Sequence, residues 1–367
     1  MRFRLLELCA RIDGHAEQHA MLRQVSGEIE DWRMLLSQAE QEGLTPLLAK
    51  HLVESESSYP AWVKRSLHIV LDRHQQLAEA RTQVLLEVLG LFRQEGIRCL
   101  VLKGGALAYT IYPDPSSRPM RDIDLLLSRD DVDRAQSLLK ANGFRQEKAV
   151  IPKDHFHLPP LYYQVENTSV CVELHRGLYP QCPPGYPKVD FDQLYRVRQQ
   201  FSIETEKAFT FSHEEMLHYL YQHGLRAPLT YEPFKLINVA DIVGFVETHH
   251  ENLNWKRIRS DYPLLCIALP LLHHLTLWDK EKVPVWMIPV DRLTPVPYHG
   301  WPHKRMKELK AEGTRPLEIL RRTFLPSTWW LRMYYGAVST LQLLFCLLWK
   351  HPRHVYWWVR MYRSLAQ

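Results

Sequence analysis

Two aspartates one residue apart, Asp122 and Asp124, sit inside the apolar run DIDLLL, and a third acid, Glu173, sits inside VCVELH. In a strand, residues i and i+2 share a face, so the two aspartates look one way while Ile123 and Leu125 look into the core. At ~3.3 Å per residue the aspartates stand about 6.6 Å apart along the strand, and they repel each other unless cations sit between them. Hard divalent ions prefer oxygen ligands, which makes Mg2+ the natural occupant, with Mn2+ as the alternative. Glu173 on a neighbouring strand is the further acid that a second ion needs, so Asp122, Asp124 and Glu173 are the candidate metal ligands and catalytic acids for two ions. Upstream, Gly104 and Gly105 end one apolar run and open a helical stretch. The free N–H groups of such a turn can hold a phosphate with no side chain in the way. Lys103, Arg118 and Arg121 flank the same stretch and are candidate phosphate contacts, the arginines being suited to bidentate grip.

These residues have plainer readings. An Asp-x-Asp that opens a strand also caps the loop before it, and Glu173 has Arg176 within reach as a salt-bridge partner. His175, two residues on, reads as a surface or hydrogen-bonded histidine more readily than as a base. His155 and His157 have no further zinc-spaced ligands and read as a solvated strand. His223 and Asp241 fall on helices expected to back the site, where core hydrogen bonding and helix capping are the simpler roles.

The elements that must position these groups follow from the periodicity. EIEDWRMLLSQAEQEG puts Trp32, Leu35, Leu36 and Ala39 on one helical face and stops at Gly43, and a long helical pattern runs from Pro60 to Gly96. The period then changes: IRCLVLKG, DIDLLLS and TSVCVELHRGL read as strands, with RDDVDRAQSLLKANGF as the helix after the second. After about Phe211 the pattern returns to helices, and five prolines between 284 and 302 mark a connection. The expected organisation is an N-terminal helical region (1–95), an α/β core (96–212), a helical region packing on it (213–283), a Pro-rich connection (284–302) and basic, aromatic-rich helices (303–367).

The strand, Gly-Gly, helix, Asp-x-Asp and later third acid together resemble the pattern of polymerase-β-type nucleotidyltransferases. LKGGALAYTIYPDPSSRPMRDIDLLL, the helix after it and the distant VELH resemble a large bacterial group of uncharacterised nucleotidyltransferase-like proteins. DWRMLLSQAEQEGLTPLLAKHL and DIVGFVETHHENLNW extend the likeness over most of residues 1–260. The resemblance implies an α+β, mostly helical fold: a small mixed sheet flanked by helical regions. It implies that two Mg2+ ions share Asp122 and Asp124, that Glu173 is the third acid, and that Gly104 and Gly105 cradle the triphosphate of an NTP. Lys103 and Arg118 stand at positions the family pattern also fills. Gly105 departs from the many members that carry serine there, which removes a hydroxyl contact. The implied reaction moves a nucleoside monophosphate from the NTP, ATP among them, to a nucleophile on a small-molecule or peptide acceptor and releases pyrophosphate. A tRNA-modifying, toxin-like transferase and a non-catalytic nucleotide-binding regulatory module are the alternatives.

Composition bounds the rest. With 367 residues, 46% hydrophobic and 24% charged, the chain has the means to bury a sizeable core. Residues 303–367 hold 12 Lys and Arg against 3 Asp and Glu, so the basic character is C-terminal and is interleaved with tryptophan and tyrosine. Packing of those rings against the core is the expectation, with RNA or an anionic membrane surface as the other partners such a segment fits. MYYGAVSTLQLLFCLLW, residues 333–349, is uncharged but short and polar near its middle, and it reads as a buried helix followed by an amphipathic one. Cys9, Cys99, Cys171, Cys182, Cys266 and Cys346 form no CxxC and suit a reducing compartment. Glu7 and Arg11 interrupt the first apolar stretch, so the expected location is cytoplasmic, with peripheral membrane attachment through the C-terminal helices as the variant.

Overall fold

The computed structural model describes residues 2–147, 155–179, 190–226, 234–290, 293–296, 298, 300–302 and 306–365. Contacts divide the chain into two units, residues 1–180 with 187–216, and residues 181–186 with 217–367.

The first unit begins with helices α1 (Arg2–Leu8), α2 (Ala16–Ser26), α3 (Trp32–Glu42) and α4 (Thr45–Glu54). Asp31 caps α3 by accepting from the Met34 N–H, and Gly43 closes it in the left-handed conformation at φ 72°, which glycine adopts without a Cβ penalty. Trp32, Leu35 and Ala39 of α3 are buried. Helix α5 (Ala61–Gln94) runs 34 residues, roughly 50 Å at 1.5 Å per residue, and packs on the sheet and on α4.

Five strands make the sheet: β1 (Cys99–Val101), β2 (Asp122–Leu127), β3 (Arg145–Gln146), β4 (Leu161–Val165) and β5 (Thr168–His175), in the order β1-β2-β5-β4-β3. Helix α6 (Lys103–Thr110) joins β1 to β2, and α7 (Val132–Ala141) follows β2. Strands β2 and β5 pair in parallel and the other neighbours are antiparallel, so the sheet is mixed, as the resemblance implied. The parallel register sets Asp124 opposite Glu173. After α8 (Phe191–Arg196), β6 (Gln199–Ile203) and β7 (Glu206–Thr210) form a separate hairpin, tied to β1 by the Thr210 hydroxyl donating to the Val101 carbonyl at 2.7 Å. Strands β3, β4, β6 and β7 lack a strong apolar alternation, which is why the sequence did not announce them.

The second unit is helical: α9 (His213–Tyr221) enters it through a π-helical turn at Gln222–Arg226, followed by α10 (Leu236–His249), α11 (Trp255–Asp261) and α12 (Pro263–Leu272). Later come α13 (Met306–Ala311), α14 (Pro316–Phe324), α15 (Thr328–Tyr335), α16 (Thr340–Phe345) and α17 (His351–Leu365). Trp329, Trp330, Tyr334, Tyr335 and Trp358 are buried in this unit, whereas Trp349 and Tyr356 are exposed.

The expectation of one buried helix over 333–349 does not hold. Gly336 ends α15 in the left-handed conformation at φ 71°, and Ser339 with Gln342 forms a capping box that starts α16. Beyond the break, Leu341 is 80% and Leu348 71% exposed, and Leu344, Phe345 and Trp349 are exposed with them. Among the described residues no single helix is long and apolar enough to cross a membrane; α15 and the helical run Thr340–Arg360 meet the composition test only as a pair bent by 86°. The five cysteines of the described residues are free thiols, and Cys182 lies outside them.

Candidate active site

Strand β2 delivers Asp122 and Asp124, and β5 delivers Glu173 and His175 at its C-terminal end. Period-two alternation carries the acids to one side and sends Ile123 and Leu125 into the core, where they are 1% and 0% exposed. Asp124 is only 3% exposed, because charges from two other positions close over it. The Lys103 Nζ lies 3.1 Å from its Oδ2, and the His175 Nε2 donates to its Oδ1 at 2.7 Å. The Glu173 Oε2 is 3.6 Å from the same His175 nitrogen and 3.8 Å from the His157 Nε2.

The charges push the carboxyls of this group apart. Burial and the neighbouring Asp124 raise the Asp122 carboxyl to about 7. Burial acts in the same sense on Asp124, but Lys103 and His175 more than offset it and hold that carboxyl well below the usual range. Glu173 is also held low, burial being outweighed by His175 and His157. His175 is raised because Asp124 outweighs its burial.

The phosphate candidates take different positions. Lys103 opens α6 with φ +43°, a left-handed backbone that a residue with a Cβ seldom adopts and that tends to persist at functional sites. Gly104 and Gly105 are buried in the first turn of α6. A Cβ on Gly104 would lie 3.3 Å from the Arg118 Nη1, and one on Gly105 would lie 3.0 Å from the Val101 Cγ1. The missing side chains therefore let the Arg118 guanidinium and β1 approach the turn. Arg118 is buried and donates to the Pro119 carbonyl, whereas Arg121 is exposed just ahead of β2.

Of the two simpler readings of His175 the hydrogen-bonded one holds and the surface one does not: it is 1% exposed and its Nε2 donates to Asp124, while its Nδ1 has no hydrogen-bond partner. One reading needs correction. His157 is not on a solvated strand, since it makes an isolated bridge to His175 and its ring packs 5.3 Å from that ring. The HFH spacing hinted at this, but only the fold brings β5 alongside. His223 and Asp241 belong to the second unit; the His223 ring stacks on Tyr219 and Asp241 is buried in α10. Arg81 of α5 carried no sequence signal; burial lowers its guanidinium, and the nearby Asp122 carboxylate opposes that.

Carboxylates are the donors that hard divalent ions take. Asp124 and Glu173 offer carboxylate oxygens, and His175 a ring nitrogen, within 4.8 Å of one another, while burial and the neighbouring Asp124 raise the Asp122 carboxyl. The small mixed sheet, with carboxylates on its two parallel neighbours, is consistent with an α+β nucleotidyltransferase fold. Residues 28–279 match the family model described as uncharacterised nucleotidyltransferase, more than half of the chain, and the protein belongs to that family of transferase enzymes. Among solved structures it is similar to the antibiotic-resistance factor ANT(2'')-Ia, at 13% identity and a TM-score of 0.34 over 51% of this chain and 96% of that one. It is also similar to an antigenic nucleotidyltransferase-like protein from Paracoccidioides brasiliensis, at 16% identity and a TM-score of 0.33 over 57% of this chain and 96% of that one. No curated protein matches the chain.

Proposed function

We propose that the protein transfers a nucleoside monophosphate from an NTP to a hydroxyl or similar nucleophile on a small-molecule or peptide acceptor, using Asp122, Asp124 and Glu173 as metal ligands. The observation that carries this reading is the register of β2 against β5, which sets Asp124 opposite Glu173 with Asp122 two residues away. Two Mg2+ ions held by these carboxylates would supply charge neutralisation at the attacking and leaving oxygens. Lys103 is poised to exchange its contact with Asp124 for a phosphate oxygen. Arg118, beside Gly104, and Arg121, at the mouth of β2, are suited to grip the phosphates bidentately. His175 and its hydrogen bond fix the orientation of Asp124. In the reaction the acceptor oxygen bonds to the α-phosphorus, the bond from that phosphorus to the pyrophosphate oxygen breaks, and the acceptor's proton passes to a carboxylate or to solvent. Calorimetry with each of the four NTPs and Mg2+, followed by pyrophosphate release in the presence of candidate acceptors, tests the proposal. Binding of one NTP that Asp124→Asn abolishes supports it; a folded protein that binds none refutes it.

The C-terminal helices favour a peripheral attachment to anionic lipid over RNA. Val338, Leu341, Leu344, Phe345, Leu348 and Trp349 are exposed together, followed by exposed Lys350 and Arg353, and the segment is basic overall. Apolar side chains beside basic ones match the boundary between acyl chains and anionic headgroups, whereas a nucleic acid rewards stacking rings and leaves leucines in water. Flotation with vesicles containing phosphatidylglycerol, absent with phosphatidylcholine alone and lost in Leu341→Glu with Leu348→Glu, supports the attachment. Salt-sensitive tRNA binding without flotation overturns it.

A further inference from the structure

Away from the acid cluster, the N-terminal helices gather a second group of metal-binding side chains. His19 lies on α2, and His51 and Glu54 lie one turn apart on α4. The His51 ring is fully buried, and its Nε2 lies 2.9 Å from the Arg11 carbonyl. A carbonyl only accepts, so Nε2 carries the proton and Nδ1 carries a free lone pair. That Nδ1 is buried with no hydrogen-bond partner, and it sits 3.7 Å from the Glu54 Oε2. The His19 Nε2 is likewise buried without a partner, 3.9 Å from the same oxygen. The three donor atoms lie within 4.8 Å of one another.

Buried polar atoms are nearly always partnered, and two orphan nitrogens facing one carboxylate call for a common partner. A direct hydrogen bond does not supply it, because the His51 nitrogen and the carboxylate are both acceptors. A bridging water or a cation does, and the donor set fits a cation. We propose that the His19 Nε2, His51 Nδ1 and Glu54 Oε2 form a binding site for a divalent transition ion, zinc above all, with water as the fourth ligand.

The chemistry of the donors selects the ion. Two imidazoles and one carboxylate suit zinc, cobalt or nickel, and are too nitrogen-rich for magnesium. Tetrahedral zinc with bonds of ~2.0–2.1 Å needs ligand atoms about 3.4 Å apart, so the observed spacing closes with a small movement. The half-exposed Glu54 side chain, at 39%, is the group free to make it. The Nε2–H of His51 donating to a backbone carbonyl is the outer-shell contact that orients a metal-binding histidine. Gly14 packs against the His19 Nε2 so closely that a Cβ there would collide with the ring, and an ion at that nitrogen moves the Gly14 backbone aside. Lys50, Arg11 and Arg23 are the opposing charges, and Lys50 is occupied by the Asp13 carboxylate at 3.1 Å and the Ile12 carbonyl at 2.7 Å while standing 3.8 Å from the other Glu54 oxygen. An ion here would clip α2 to α4.

The test is a zinc titration of the full-length protein by calorimetry in excess Mg2+, with Co2+ absorption as a second readout of tetrahedral coordination. One zinc per chain is expected, retained in Asp124→Asn and weakened by more than about a hundredfold in His19→Ala and Glu54→Gln, since outer-shell losses alone cost 10–100-fold. Gly14→Ala, whose Cβ would collide with the His19 ring, weakens it as well. The Glu54 substitution lies on the half-exposed side and keeps the test usable should a histidine variant fail to fold. Zinc affinity unchanged in Glu54→Gln, zinc lost in Asp124→Asn but retained in His19→Ala, or no binding tighter than millimolar would each overturn the proposal.

Discussion

Neutralising either aspartate of the β2 pair is expected to end nucleotide transfer, yet the two changes move the stability of the metal-free protein in opposite directions. Asp124 is 3% exposed and answers both Lys103, whose side chain is 20% exposed, and His175. Asp124→Asn leaves those two groups without their anion, and breaking a buried pair costs about 3–5 kcal/mol. Lys103 keeps some hydration, so the lower end, about 3 kcal/mol, is expected. Asp122 is the reverse case, since burial and Asp124 raise its carboxyl to about 7, and the folded state works against its charge. One pKa unit is worth 1.36 kcal/mol, and with the coupling to its neighbours discounted Asp122→Asn gains about 1–2 kcal/mol. At roughly 2–4 °C per kcal/mol for a unit of this size, Asp124→Asn lowers the unfolding midpoint by about 6–12 °C and Asp122→Asn raises it by a few degrees. The pH dependence separates them further. The folded Asp124 carboxyl is depressed, so its contribution is present above the unfolded value of about 4 and is lost only below it. The folded Asp122 carboxyl is raised, so its cost grows as pH climbs from about 4 to about 7, and the gain in Asp122→Asn vanishes at pH 4. Thermal unfolding in EDTA at pH 4 and pH 8 measures both. Shifts of the same sign at pH 8 would refute the electrostatic account of the site.

Mg2+ affinity is expected to rise about tenfold per pH unit below about 7 and to flatten above it, as Asp122 loses its proton, and calorimetry across pH 5.5–8.5 reads this. Gly105→Ala presses a methyl to 3.0 Å from the Val101 Cγ1 and is expected to cost about 1–3 kcal/mol in denaturant unfolding, which a paired Val101→Ala relieves. Lys103→Gly relaxes a backbone held at φ +43° but removes the Asp124 partner, so the protein loses stability and NTP affinity together; Lys103→Arg returns the charge and restores part of both.

The acid pair was legible in the sequence because alternation in a strand is local: DID in an apolar run fixes which side Asp122 and Asp124 share, whatever surrounds them. Gly43 as a helix stop and the long helix after Pro60 were legible for the same reason, since capping and period depend on neighbours in the chain. The third acid needed more, because Glu173 becomes a partner of Asp124 only through the parallel register of β2 and β5, a pairing across about fifty residues that no local pattern encodes. The closure of Lys103 and His175 over Asp124, the approach of His157 and the reach of Arg81 are likewise products of packing. The C-terminal apolar run shows the limit most plainly. Its composition is a property of the chain, but whether Leu341 and Leu348 meet protein or solvent depends on the turn at Gly336 and on what packs against α16, and burial is decided by neighbours that only the tertiary structure supplies.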